Sequence, residues 1–266
     1  KNAGSTFDWS LQRNFGDGFL DHRDDKKMRE CGASHLLALL RERTDLQAVS
    51  SHCLCRPLPE AEGMRFEPVY FLRHPLERIA SVYAFERQQD ADTPGAMAAK
   101  EMNFRRYVAW RMQPEVSRTI RDYQTCNIAG KHEAERLREV NFRTLKEAID
   151  NLWGIRCVGV VDRYDESMVA FEHALHEYFP ELDLAYIKQN VSGRGRVSRD
   201  FNGRVLSALR QLGKLQAQVL ANNSFDMALY RFANQKLDEA IWEIPGFEEK
   251  LAEFRQRCQR LSENSG

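Results

Sequence analysis

The sequence predicts the α/β class, with a three-layer domain built around a central parallel sheet and a helix-rich C-terminal third. Two strand-sized apolar runs, at residues 68–72 and 157–161, are each followed by an amphipathic helical pattern. Uninterrupted apolar runs of this length are typical of strands that are buried on both faces of a parallel sheet. The alternation of strands and helices over the first two thirds of the chain favours helices on both faces of that sheet.

In the first half of the chain, helices alternate with strands. Apolar periodicity predicts helices at residues 6–14 and 34–43 and a short strand at residues 46–51. A polar, proline-containing loop leads to the first apolar run. Pro75 then suits the first turn of a helix, which ends where residues 88–95 break the pattern.

The second half is mostly helical. Helices are predicted at about residues 100–112 and 142–152, ahead of a strand at residues 156–161. A strongly amphipathic helix follows Tyr164 and ends before Pro180, because proline cannot continue a helix.

The C-terminal part predicts a loop, further helices and an appendage. A loop rich in Gly, Arg and Ser covers residues 192–199, and the Pro245-Gly246 pair separates a highly charged helix at residues 246–261. We therefore expect one α/β domain at residues 1–243 and a solvated C-terminal helix appended at residues 244–266.

Composition and charge exclude several classes of protein. The chain has 266 residues, with 39 Lys and Arg against 39 Asp and Glu, so bulk charge does not indicate nucleic-acid binding. No apolar run approaches the roughly 20 residues of a membrane helix. Six cysteines without CxxC spacing are too few for a disulfide framework and predict no metal site, and they favour a reducing compartment.

The first six residues, KNAGST, have the composition of a phosphate-binding turn. Gly4 permits close backbone approach, the hydroxyls of Ser5 and Thr6 can donate, and the following helix directs free N–H groups at an anion. The segment is not a Walker A loop, because Lys1 precedes the glycine. The alternative interpretation is an ordinary loop with a helix N-cap at Ser5.

A second segment, FLRHPLERIASVY, carries another pair of anion-binding groups. Arg73 follows a predicted strand, and the next helix presents Ser81 eight residues later. The guanidinium and the hydroxyl are positioned to close on one phosphate.

Together, KNAGST and FLRHPLERIASVY resemble the two cofactor motifs of sulfotransferases that use 3'-phosphoadenosine-5'-phosphosulfate (PAPS), and in particular the carbohydrate-type branch found in the Golgi and in bacteria. The stretches at residues 158–168 and 222–230, the latter with Asp226 and Tyr230 on one helix face, resemble later landmarks of that branch. The resemblance implies a P-loop-like fold and PAPS as the cofactor. His74 departs from the family, which commonly has Asp or Asn at that position.

The resemblance also assigns roles to individual residues. The 5'-phosphosulfate is assigned to Lys1, Gly4, Ser5 and Thr6, with Asn2 and Ala3 contributing mainly backbone. The 3'-phosphate is assigned to Arg73 and Ser81.

Two arginines of the loop at residues 192–199, Arg194 and Arg196, offer planar forks of donors for the 3'-phosphate or for an anionic acceptor. A solvated loop is the alternative interpretation.

Lys1 is expected to neutralise the bridging oxygen between the sulfuryl group and the 5'-phosphate, and the chemistry needs no metal. Because the family places its first motif after an apolar strand, we expect such a strand ahead of Lys1 in the native protein.

His52 is the candidate general base. It ends the predicted strand at residues 46–51, and the carboxyl ends of strands face the ligand crevice in open α/β sheets. In some uronyl-type enzymes of the branch, a histidine in the corresponding stretch is the base. A histidine that caps a strand end is the alternative.

His22 is the second candidate base, and with Arg23 it lies in a loop at residues 16–25 that is expected to border the acceptor.

The sequence thus favours a sulfotransferase that transfers a sulfuryl group from PAPS to a hydroxyl, with a carbohydrate ahead of a protein tyrosine or a small molecule as acceptor. A P-loop-type nucleotide-dependent kinase and a non-catalytic glycan- or nucleotide-binding module are the alternatives. A bacterial chain would meet PAPS in the cytoplasm and a eukaryotic one in the Golgi lumen, and the cysteine usage favours the first. The sequence does not determine the acceptor or the oligomeric state.

Overall fold

A computed structural model describes residues 2–53, 58–131, 140–189 and 200–264. The protein is α/β and rich in helix, as the sequence predicts. Its residues cluster into two units. The first unit comprises residues 1–2, 72–149 and 191–233, and the second comprises residues 3–71, 150–190 and 234–266.

The strands of the described residues pair as two two-stranded sheets, β1 with β2 and β3 with β4. The β1–β2 pair is parallel, with His22 opposite Ser51 at its carboxyl end. The strand bounds are β1 Phe19–His22, β2 Ala48–Ser51, β3 Val69–Leu72 and β4 Cys157–Val160.

The helices of the first half are α1 Gly4–Phe15, α2 Asp25–Glu42, α3 Pro75–Gln88, α4 Pro94–Glu101, α5 Phe104–Arg111 and α6 Tyr123–Ile128. Those of the second half are α7 Phe142–Trp153, α8 Tyr164–Leu175, α9 Phe201–Leu212, α10 Gln216–Ala221, α11 Ser224–Trp242 and α12 Phe247–Glu263. None of these helices, within the described ranges, is long and apolar enough to span a bilayer.

Elements with strong periodicity are confirmed with ends shifted by at most two residues, namely those predicted at residues 6–14, 46–51, 68–72, 142–152 and 156–161. The helix predicted at residues 100–112 is instead two helices, because Asn103 caps α5 by accepting a hydrogen bond from the Arg106 N–H at 3.0 Å. Helix α2 begins at Asp25 rather than at residue 34, and Gly32, at φ 46°, interrupts it.

The segment at residues 16–25 is not the loop that the sequence suggested. It contains β1, whose first residue, Phe19, is buried. Only two apolar residues, Phe19 and Leu20, mark this strand, which is too short a run to be recognised from periodicity.

The second unit has an aromatic core in which Phe7 of α1, Phe71 of β3 and Phe171 of α8 pack edge to face. Gly159 of β4 leaves room for these rings. A Cβ at residue 159 would lie 2.8 Å from Phe171 and 2.9 Å from Phe71. The glycine inside the apolar run is therefore required by close packing.

Helix α12 belongs to this same core. Leu251 is 5% exposed, Phe254 is fully buried, and both pack in the aromatic cluster of the second unit. The expectation that the C-terminal helix is simply solvated is therefore wrong. Its high charge lies on the other faces of the helix, which is what the 3.6-residue period of an amphipathic helix allows.

The first unit has a separate core formed by α3, α5 and α9. Its buried apolar side chains include Ile79 and Val82 of α3, Tyr107 of α5 and Leu212 of α9. This core fixes the inner face of α3, and α3 is the helix that carries the second predicted phosphate motif.

Candidate functional site

The N-terminus of α1 carries the first predicted motif. The helix begins at Gly4, and its N-cap is Ala3, which has left-handed backbone angles of φ 61° and ψ 13°. The predicted N-cap at Ser5 is therefore wrong, and Ser5 lies in the first helical turn. A left-handed non-glycine residue costs about 1–2 kcal/mol, so the neighbouring structure holds Ala3 in this conformation.

The same turn leaves backbone donors available. The Ala3 carbonyl accepts hydrogen bonds from the N–H groups of Thr6 at 3.0 Å and Phe7 at 3.2 Å. Within the described residues, the N–H groups of Gly4 and Ser5 have no hydrogen-bond partner. Both residues are exposed, and a Cβ on Gly4 would meet no atom within 4 Å. The positive end of α1 therefore faces open space, which suits an anion.

His52 and Arg23 meet at the carboxyl end of the β1–β2 pair. Each follows its strand directly, and the parallel register places His22 opposite Ser51. The Nη1 of Arg23 lies 2.8 Å from the Nε2 of His52, and the Nη2 of Arg23 donates to Asp21 at 2.5 Å. Because arginine only donates, the His52 nitrogen that accepts this bond is unprotonated.

Asp8 joins this group from α1, one turn beyond Gly4. Its Oδ2 lies 3.6 Å from the Nη2 of Arg23, and its carboxylate hydrogen-bonds Ser50 of β2. Burial raises the pKa of Asp8 above its ordinary value, and the Ser50 hydrogen bond opposes the shift. Asp8 is not predictable from the sequence, because nothing in the helical pattern of α1 distinguishes it from a solvated carboxylate.

His22 points to a different neighbour. It is 8% exposed, and its Nε2 lies 2.9 Å from the Nε2 of His35 on α2. Burial, followed by the charges of Lys27 and His22, lowers the pKa of His35. Among the described residues, the buried Nδ1 of His22 has no hydrogen-bond partner. His52, which is 68% exposed, is thus much more accessible to a substrate than His22.

In the first unit, the end of β3 presents Arg73 to α3. Its Nη2 donates to the buried carboxylate of Glu77 at 3.3 Å, and the other oxygen of Glu77 accepts from Arg204 at 2.5 Å. Ser81 lies one turn beyond Glu77 on the same helix face, half-buried. Within the described ranges the Ser81 hydroxyl makes no hydrogen bond, so this donor is available.

Other residues of the second motif have structural contacts. The His74 ring packs edge to face on Phe201 and Tyr230, at 5.5 and 5.3 Å between centroids. The position of His74 commonly holds Asp or Asn in the family that the sequence resembles. Here the His74 ring fills the space between Phe201 and Tyr230 instead. Arg78 is buried with its guanidinium 4.0 Å from the centre of the Tyr123 ring.

A buried polar network lies behind Arg73. Asp226, at the start of α11, accepts hydrogen bonds from the Gln124 and Thr125 N–H groups at 3.1 and 2.7 Å, which caps α6. In return, Asp122 accepts from the Asp226 N–H at 2.8 Å. Each helix is therefore capped by an aspartate of the other.

Burial, aided by the charge of Asp226, raises the pKa of Asp122 to about 7. Asp122 is 4% exposed and Asp226 is 2% exposed. Asp226 lies within the predicted stretch at residues 222–230, whereas Asp122 and Gln124 were not predicted, since their importance comes from contacts about 100 residues apart in the chain.

Three predicted residues, Lys1, Arg194 and Arg196, lie outside the described residues. The others fall into two groups. His22, Arg23, His52, Gly4, Ser5 and Thr6 belong to the second unit, whereas Asn2, Arg73 and Ser81 belong to the first. Ala3 supplies the turn before α1.

These features define a helix-rich α/β protein with exposed backbone N–H groups at one helix N-terminus and a histidine–arginine pair at the carboxyl end of parallel strands. The chain is 31% identical over 196 residues to an uncharacterized protein of Archaeoglobus fulgidus, an alignment that covers 72% of this chain and 76% of that protein. It belongs to the same family as that archaeal protein. No family model matches the chain, and no solved structure matches it.

Proposed function

We propose that this protein is a sulfotransferase that uses PAPS to sulfate a hydroxyl group, with a carbohydrate as the acceptor class. The observation that carries the proposal is the grouping within the second unit. The open N-terminus of α1, Asp8 one turn further on, and the Arg23–His52 pair belong to elements that contact one another. An anion site beside an accessible histidine is what sulfuryl transfer to a hydroxyl by general-base catalysis requires.

The residues of the first motif fit a 5'-phosphosulfate. Gly4 and Ser5 offer backbone N–H groups in open space at the positive end of α1. Such a helix end stabilises a nearby negative charge by roughly 1 kcal/mol. Lys1 would add a full positive charge at the bridging oxygen.

The residues of the second motif fit a 3'-phosphate. Arg73 has a fixed backbone and a side chain that is 22% exposed, and the Ser81 hydroxyl is available on the face of α3 that carries Glu77. The carboxylate of Glu77 is shared by two arginines, Arg73 and Arg204, so the local charge is positive. Arg194 and Arg196 would strengthen this site.

The chemistry follows from the roles of these side chains. PAPS, when bound, supplies a sulfuryl group that moves to the acceptor oxygen as its bond to the 5'-phosphate oxygen breaks. His52 would take the proton that the acceptor hydroxyl loses at Nε2, the nitrogen whose lone pair accepts the Arg23 N–H in this structure, so the acceptor hydroxyl first displaces that N–H. Before this exchange Arg23 orients the ring, and Asp21 and Asp8 hold Arg23. The products are the sulfated acceptor and adenosine 3',5'-bisphosphate.

The proposal includes the finer architecture that the resemblance implies, a P-loop-like three-layer domain with a central parallel sheet. The parallel β1–β2 pair supports it. Cys31, Cys157 and Cys258 have free thiols, which supports a reducing compartment such as the bacterial cytoplasm.

Calorimetric titration tests the cofactor. Adenosine 3',5'-bisphosphate is expected to bind far more tightly than ATP with Mg²⁺. Arg73→Ala is expected to weaken the bisphosphate by about tenfold or more, since it removes a charged hydrogen-bond donor. The exposed Arg29→Ala is the matched control. Tighter binding of ATP with Mg²⁺ would favour the kinase interpretation, and no binding of either nucleotide would contradict the proposal.

A further inference from the structure

The side-chain amide of Gln124 is buried next to the second phosphate motif, although neither motif contains it. Gln124 is 2% exposed. Its Oε1 accepts hydrogen bonds from Asn2 Nδ2 and from the Arg73 N–H, each at 2.9 Å. Its Nε2 donates to the Arg73 carbonyl at 2.9 Å and to Asp226 Oδ2 at 3.4 Å. Because an amide has two donor hydrogens and two acceptor lone pairs, these four bonds use its whole capacity.

Two of the four bonds close on a single residue. Gln124 binds both the N–H and the carbonyl of Arg73, as a neighbouring strand would. Arg73 lies between the end of β3 and the start of α3, where the backbone changes from extended to helical. Fixing both of its backbone groups sets the direction in which its Cα–Cβ bond, and so its guanidinium, leaves the chain.

Gln124 is itself fixed by Asp226. The Oδ2 of Asp226 accepts from the backbone N–H of Gln124 at 3.1 Å as well as from its side chain. The Oδ1 accepts from the N–H and the hydroxyl of Thr125, at 2.7 and 2.8 Å. The Asp226 carboxylate thus accepts four hydrogen bonds from Gln124 and Thr125. Together they hold the first turn of α6, and with it Gln124, in one position.

We propose that Gln124 is the positioning residue of the 3'-phosphate subsite, holding Arg73 in the orientation that binds the phosphate, with Asp226 holding Gln124. This inference rests on the proposed function and deepens it. Gln124 then contributes to the selectivity for a 3'-phosphorylated nucleotide over a plain 5'-nucleotide. Binding of the 5'-phosphate does not depend on Arg73.

The test compares two ligands by calorimetry on the full chain, adenosine 3',5'-bisphosphate and adenosine 5'-monophosphate. The dissociation constant of the monophosphate divided by that of the bisphosphate isolates the 3'-phosphate, because any effect on binding of the 5'-phosphate enters both constants and cancels. Gln124→Leu is expected to reduce this ratio by about tenfold, the effect of one misplaced charged hydrogen bond. Gln216→Leu, which removes a side-chain bond to the Leu209 carbonyl in the same unit, is the matched control and should leave the ratio unchanged.

A second variant covers the case in which Gln124→Leu does not fold. Gln124→Glu keeps the acceptor for the Arg73 N–H but, when ionised, faces the Arg73 carbonyl and Asp226 with an acceptor in place of a donor. Its ratio, relative to wild type at the same pH, should be low near about pH 8 and recover near about pH 5, because burial beside the Asp226 carboxylate raises the pKa of the introduced glutamate and protonation then restores a donor. A general loss of structure would lower both affinities together and would not recover in this way.

The outcomes separate the two proposals. A wild-type protein that does not prefer the bisphosphate overturns the proposed function and this inference with it. A wild-type protein that does prefer it, together with an unchanged ratio in Gln124→Leu or a Gln124→Glu ratio equal to wild type at both pH values, overturns the role of Gln124 alone.

Discussion

Two residues have left-handed backbones without being glycine, Ala3 and Asp122, and among the described residues they are the only ones that do. Ala3 precedes the open N-terminus of α1, and Asp122 precedes α6, whose first turn holds Arg73 through Gln124. Backbone strain of this kind persists only where the surroundings impose it, and it concentrates at functional sites. In this chain Ala3 lies within the first predicted phosphate motif, and Asp122 precedes the helix that contacts the second.

His52 is expected to act on the chemical step rather than on cofactor binding. His52→Ala should lower kcat by about 100-fold or more, the usual contribution of a general base, and leave the affinity for adenosine 3',5'-bisphosphate unchanged. Steady-state kinetics with PAPS and a glycan acceptor, paired with calorimetry, measure the two effects. His173→Ala, an exposed histidine on α8, is the control. Retained turnover in His52→Ala, together with loss in His22→Ala, would move the role of base to His22.

Asp122 makes stability depend on pH. Its pKa is raised to about 7 in the fold, whereas an aspartate in the unfolded chain titrates near about 4. Between these values the folded state binds the extra proton, so the free energy of unfolding falls as pH rises from about 4 to about 7.

Asp122→Asn should remove this dependence, because the asparagine oxygen still accepts the Asp226 N–H and carries no charge. We expect the gain in stability over wild type to be larger near pH 8 than near pH 5 by roughly 2–3 kcal/mol, measured by urea denaturation. Asp200→Asn, an exposed cap of α9, is the control and should have the same effect at both pH values. An equal loss of stability in Asp122→Asn at both pH values would contradict the assignment.

At the scale of elements, short strands and caps position the candidate groups. Strands of four residues would be marginal alone, but packing of their faces against α1 and α8 stabilises them. The β4 strand is the most tightly packed case, since Gly159 lies against two aromatic rings.

Gly159→Ala is expected to destabilise the protein by about 1–3 kcal/mol, because the added methyl overlaps Phe71 and Phe171 and both rings are held in the core. Gly154→Ala is the matched control, since a Cβ there meets no atom within 4 Å. Thermal and urea unfolding measure both variants. If Gly159→Ala and wild type had the same free energy of unfolding, the rings of Phe71 and Phe171 could move aside without destabilising the core.

At the scale of the whole molecule, the chain ends contribute to the same core as its middle. Residues 3–71, 150–190 and 234–266 cluster as one unit, so α12 packs with elements that precede it by most of the sequence. Arg257 on α12 binds Glu172 on α8 at 2.7 Å and also pairs with Asp183. The charges of this helix thus include specific ion pairs.

Phe254→Ala should therefore cost about 3–5 kcal/mol, the range for a buried aromatic side chain. Trp242→Ala, a large aromatic that is 91% exposed in the same unit, should change stability by less than about 0.5 kcal/mol. Urea denaturation at neutral pH compares the two. A small effect of Phe254→Ala would mean that α12 is only an appendage.

The sequence by itself determined the α/β class, most strong helices and strands, the positions of Arg73 and His52 at strand ends, and the position of Ser81 on the helix that follows Arg73. These features are local, because apolar periodicity and helix-start signals act over a few residues. The tertiary structure alone decided that β1 is a strand, that α12 is part of a core, and that Asp8 accompanies Arg23 and His52. It also decided that Gln124 holds Arg73. Each of these depends on contacts between residues far apart in sequence, and one chain without its fold does not specify which distant side chains meet.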